Sequence, residues 1–183
     1  MSARFEEYYG RKTGMKPDLD YIRREGLESI LDTAPGKYVL LRRTDSPPDI
    51  WQNDCQHFSK MIDEAIYIGI QENDGSFHYE HWNEGKQLRL LSYNSDYSWH
   101  RVLGEPDEWE KHALFSNDIL QRNLECFDNS HDEIKKAWER KHIREGDQFP
   151  AIHEIEAYCG VIDYIENSAQ NSSDQIVGKV RTS

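Results

Sequence analysis

Cysteine is scarce in this sequence, and what is present cannot build a disulfide framework. Cys55, Cys126 and Cys159 form an odd, scattered set with no Cys-x-x-Cys pair, which points to a reducing compartment. Long apolar runs are missing too. No window approaches the roughly 18 apolar residues of a membrane helix, and residues 1–10 carry charges and tyrosines where a signal peptide needs an apolar run. A cytoplasmic location with no membrane partner is expected. Positive charge is also in short supply, with Lys+Arg 22 against Asp+Glu 34 and a formal charge of -12. That balance excludes a general nucleic-acid binder, because phosphate contacts need clustered Lys and Arg. There is no internal repeat and no Pro- or Gly-rich linker.

What the chain does have is size and aromatic bulk. Its 183 residues suffice for one domain with a real core. The hydrophobic fraction is only 37%, so Trp 5, Tyr 10 and Phe 6 must carry much of the burial. The acidic balance favours solubility and can steer a basic partner into contact. It is spread widely: residues 45–104 hold ten acidic and four basic side chains, and residues 105–183 hold seventeen and nine.

Residues 1–16 form a basic segment, with Arg4, Arg11, Lys12 and Lys16 against Glu6 and Glu7. It reads as an N-terminal arm, either mobile or a short amphipathic helix. Pro17 and Asp18 open a helix with Leu19, Ile22, Leu27, Ile30 and Leu31 at helical spacing. A strand follows over residues 37–43. Residues 45–59 are a loop by composition, turning helical in part from Ile50. A meander occupies residues 65–103, because Asn73-Asp74-Gly75 and Asn83-Glu84-Gly85 are strong hairpin signals and Asn94-Ser95-Asp96 a weaker one. Beyond Pro106 the period becomes helical. Gly104-Glu105-Pro106 joins the last strand to a helix whose Trp109 folds inward, with Pro106 at its first position. A second helix restarts at Asn117, with Ile119, Leu120, Leu124 and Phe127 as its stripe. Ser130 and Glu133 have capping-box spacing, for a helix stopping at Gly146. The last helix opens at Pro150 with the stripe Ile152, Ile155, Cys159 and Ile162. From Asn167 the composition reads as a flexible tail.

The expected fold is therefore α+β: an antiparallel β-meander of about four to five strands, packed on one face by N- and C-terminal helices. One domain spans residues 17–166, between the arm at 1–16 and the tail at 167–183. Alternation puts Ile66, Ile68, Ile70, Phe77, Tyr79, His81, Leu88 and Leu90 on the core face. The opposite face carries Tyr67, His78, Glu80, Trp82, Arg89, Leu91 and Tyr93, with Glu80 opposite Arg89. Tyr, Trp and Arg dominate binding hot spots, so Tyr67, His78, Glu80, Trp82, Arg89 and Tyr93 are the candidate partner-binding residues. The alternatives are a merely wetter sheet face, or one covered by the N-terminal segment or the Trp51 loop.

No catalytic residue is nominated. There is no His-Glu-x-x-His; Glu139 and His142 make one half of a paired Glu-x-x-His, and His78 with Glu80 two ligands of an incomplete site. Asp54-Cys55-Gln56-His57 places a thiol near a base only in sequence, and no phosphate loop or nucleophile elbow occurs. No cofactor and no metal are expected. In size, acidity, cysteine use and aromatic sheet the chain resembles the profile of bacterial immunity proteins, which bind and neutralise toxins. That resemblance is one of profile and transfers no residue. The expected function is a non-enzymatic, acidic protein-binding module, an inhibitor or immunity-type protein that neutralises a basic partner. The alternatives are a metal-dependent hydrolase using His78 and Glu80, with a third group from residues 51–57, or a structural subunit of a larger assembly.

Overall fold

A computed structural model describes residues 4–11, 27–29, 38–43, 54–71 and 75–180. Among these, seven strands form one sheet in the order β2-β3-β1-β4-β5-β6-β7. They are β1 (Arg4–Arg11), β2 (Leu27–Ser29), β3 (Val39–Arg43), β4 (Glu64–Gln71), β5 (Ser76–Asn83), β6 (Lys86–Asn94) and β7 (Ser98–Gly104). The helices are α1 (Asp54–Ile62), α2 (Glu108–Ala113), α3 (Asn117–Cys126), α4 (His131–Arg140) and α5 (Glu154–Val180). The fold is α+β, and β4 to β7 are the expected meander. Its turns fall at the expected places: glycine takes the positive φ at Gly75 (67°) and Gly85 (80°), whereas Glu84 (49°) and Tyr97 (59°) adopt it without glycine's freedom.

The contacts divide into two compact units, one of residues 1–6, 68–80 and 88–161, the other of residues 7–67, 81–87 and 162–183. In the first, Trp109 of α2 is buried edge-on against Phe77 and Tyr79, at ring separations of 6.0 and 5.1 Å. The inward fold of Trp109 thus holds, while Asp107 rather than Pro106 caps the helix, its N–H reaching Glu110 Oε1 at 2.8 Å. Gly104 sits at φ 80°, where a Cβ would come within 1.8 Å of the Leu88 carbonyl oxygen, so only glycine fits this close turn. After a bulge, Trp99 pairs with Tyr93 and is buried against it at 4.9 Å, while His100 is exposed. Trp99 is further fixed by backbone bonds with Gly146 and Asp147 and by its indole N–H to the Pro150 carbonyl.

Several helix details differ from expectation. Ser130 precedes α4 but makes no side-chain cap bond, and α4 ends before Gly146, at Lys141, which turns left-handed at φ 46°. The last helix begins at Glu154 rather than at Pro150, and its backbone runs to Val180. Its buried face is Glu154, Ala157, Val161 and Ile165; Ile155 and Cys159 are exposed. The face is decided by packing rather than apolarity alone. Gly160 lies so near α2 that a Cβ would stand 2.3 Å from Ala113 Cβ. Gly160→Val is expected to lower stability by about 1–3 kcal/mol through overpacking, measured by urea unfolding; an unchanged midpoint would contradict the packing described.

In the second unit, residues 4–11 of the basic segment are not an arm or a helix: their later part is the portion of β1 paired with β3, Tyr8 to Leu41, Tyr9 to Leu40 and Gly10 to Val39. Tyr8 and Tyr9 are adjacent, so they point to opposite faces of the strand, and both are buried. Residues 27–29 of the expected first helix are instead β2; its residues 17–26, 30 and 31 lie outside the described residues. Of the stretch at 45–59, residues 54–59 are helical, as the start of α1, and residues 45–53 lie outside the described residues. Its Cys55, Phe58 and Ile62 pack with Tyr8, Ala65 and Tyr67, with Met61 and Trp82 at the margin. Three hydrogen bonds tie α1 and its end to the β5–β6 turn: Gln56 Nε2 to Gly85 O, Gly85 N to Ser59 Oγ, and Glu84 N to Asp63 O.

Candidate functional site

Among the described residues, the most concentrated polar chemistry lies in the second unit, on Glu64. Because Gly10 pairs with Val39, one further step sets Arg11 across from Tyr38, whose ring lies 4.6 Å below the guanidinium carbon. Arg11 Nε donates to Glu64 Oε2 at 2.7 Å and its Nη2 joins the same oxygen. Tyr38 donates to Glu64 Oε1 at 2.5 Å, and His81 Nε2 lies 2.8 Å from that oxygen. Side chains from β1, β4 and β5, with Tyr38 just before β3, thus converge on one buried carboxylate. Burial alone would push that carboxyl up. Hydrogen bonds from His81 and Tyr38, together with the Arg11 charge, outweigh burial and hold it at about 2. Burial, and then the Glu64 charge, push the Tyr38 phenol well above its ordinary value. A carboxylate so fully supplied with donors is a poor proton acceptor near neutrality. Its role is to join four strands.

The first unit has a second network. Arg89 is fully buried and forks onto Glu110, Nε to Oε1 at 2.8 Å and Nη2 to Oε2 at 2.6 Å. Its Nη1 serves the carbonyls of Leu103 and Gly104. Burial raises the Glu110 carboxyl against the opposing pull of Arg89. Tyr79 donates to Asp107 at 2.7 Å, so the α2 N-terminus is bonded to the sheet at two points.

The six residues nominated from the sequence do not make one exposed patch. Tyr67 and Trp82 belong to the second unit, where Tyr67 is buried in the α1 cluster and Trp82 half-buried beside it. The helix from the Trp51 stretch is what covers them. In the first unit Glu80, Arg89 and Tyr93 are buried, and His78 is half-buried with Nε2 2.9 Å from Glu80 Oε1. Glu80 is not the partner of Arg89; Glu110 is. Burial pushes the Tyr93 phenol up to about 12. Arg89 was legible as a strand residue, but its helix-borne partner was not, since no local spacing links positions 89 and 110. The Glu64 row escaped the sequence reading for the same reason: its members are spread over 70 positions, from Arg11 to His81.

Among the described residues, no three His, Cys, Asp or Glu side chains are grouped so as to hold a metal ion, and no helix is long and apolar enough to cross a membrane. No family model matches this sequence, and no curated protein or solved structure shows significant similarity to it.

Proposed function

We propose that the chain is a non-enzymatic, acidic protein-binding module, an inhibitor or immunity-type protein that occludes a basic partner in the cytoplasm. The observation that carries this reading is the division of charge between inside and outside. The interior carboxylates Glu64 and Glu110 are engaged by arginines. Outside, Asp118 and Glu125 of α3, Asp128 in the following turn, and Asp132, Glu133 and Glu139 of α4 are all exposed. Carboxylates left facing water in a chain of formal charge -12 create the potential that draws a basic protein into encounter.

The test is kinetic. A basic protein recovered on the immobilised chain from its host should associate roughly ten-fold or more faster at low than at high salt. Stopped-flow or surface plasmon resonance measures this. An association rate indifferent to salt would count against the proposal.

A further inference from the structure

The β6–β7 turn combines three features that the fold itself does not need. Tyr97 is 66% exposed, the highest value among the exposed large hydrophobic residues described. It also holds φ at 59°, a left-handed conformation that a bulky side chain adopts at a cost and that Gly or Asn would accept readily. The turn around it is nevertheless firmly built. Tyr97 N–H donates to the Asn94 carbonyl at 3.0 Å. Asp96 Oδ1 accepts from the Ser98 hydroxyl at 2.8 Å, and His100 Nε2 lies 2.8 and 2.9 Å from the two Asp96 oxygens. The bulge that brings Tyr93 opposite Trp99 leaves His100 as the extra residue, in reach of Asp96. Behind the turn, Trp99 and Tyr93 are buried and anchor both strands.

A strained, outward-facing tyrosine on a rigid hairpin tip contributes little to the core, so its value has to come from contact outside the chain. We infer that the β6–β7 tip is the anchor by which this protein docks on its basic partner, with the Tyr97 ring inserted into that partner and Asp96 beside it meeting a Lys or Arg. The inference rests on the protein-binding reading above and adds the place of contact. Charge selects the occupant: Asp96 and the chain's formal charge of -12 match a basic protein surface and disfavour a second copy of this chain or a nucleic acid. Pre-organisation by the Asp96 bonds limits the entropy lost when the ring is fixed, which is how a small tip can supply a large part of an affinity.

The test exploits the strain. Tyr97→Gly relieves the left-handed conformation, so its unfolding midpoint in urea should equal or exceed that of the parent. Its affinity for the basic protein retained by the parent chain should fall about ten- to thirty-fold. Tyr97→Phe should keep most of that affinity. A Tyr97→Gly variant that unfolds at lower urea would show that the ring serves the fold, and one that binds as tightly as the parent would show that the tip is not the anchor. Either result overturns the inference while leaving the protein-binding reading standing. A parent chain that retains no basic protein removes both.

Discussion

Arg89→Ala is expected to destabilise the protein by about 3–5 kcal/mol, because it leaves Glu110 buried without its cation. Both side chains have 0% relative exposure, so water cannot replace the guanidinium without opening the α2 N-terminus. The same carboxylate accepts the Asp107 N–H, and two carbonyls of β7 lose their donor at once. The pair itself is a weaker source of stability than this number suggests. Desolvation offsets much of the attraction between buried charges, as the raised Glu110 carboxyl indicates. The double variant Arg89→Met with Glu110→Leu should therefore recover most of the loss. Urea unfolding of the single and double variants decides the matter. An Arg89→Ala protein within about 1 kcal/mol of the parent would mean that the pair is not desolvated in solution.

This pair also marks how far the sequence could be read. The meander was legible because each turn carries its own chemistry in adjacent residues: Asn-Asp-Gly, Asn-Glu-Gly and a polar third turn. The inward Trp109 was legible for the same reason, being part of a local strand-to-helix joint. The two sheet faces were derived from alternation, which says which residues share a side but not what covers it. Alternation placed Tyr67 and Trp82 together correctly enough to be met by one helix, yet the covering helix arises from a stretch whose composition reads as loop. The charge of residues 4–11 suggests an arm, whereas Tyr8 and Tyr9 are buried in a strand whose pairing partners, Leu41 and Leu40, are far away in sequence. In the last helix the core face falls on Glu154, Ala157, Val161 and Ile165, a stripe at three- and four-residue spacing that leaves Ile155 and Cys159 outside it, and apolarity alone does not say which of two such stripes packs inward. The six nominated residues were chosen for hot-spot chemistry, and such side chains satisfy buried networks as readily as they satisfy partners. Exposure and backbone strain set Tyr97 apart from these six, and neither is written in residue type.

Glu64 gives the second large effect, and it is read through pH. Its carboxyl stands at about 2 in the folded protein against an ordinary 4.5. For a carboxyl depressed by folding, the unfolded chain binds the proton more tightly, so stability is complete above the ordinary value and is lost as pH falls through the folded one. The window is therefore between about 4.5 and 2, and the shift corresponds to roughly 3 kcal/mol. The loss falls on strands rather than on a surface pair, since Arg11, Tyr38 and His81 all release the same carboxylate. Glu64→Gln keeps the shape and removes the charge. It should be less stable than the parent at neutral pH, and the difference between the two should narrow by about 3 kcal/mol on acidification across that window. Urea midpoints over a pH series measure the narrowing. Parallel stability curves for parent and variant would show that Glu64 is not held ionised by the row, and the four-strand junction would then have to rest on neutral hydrogen bonds alone.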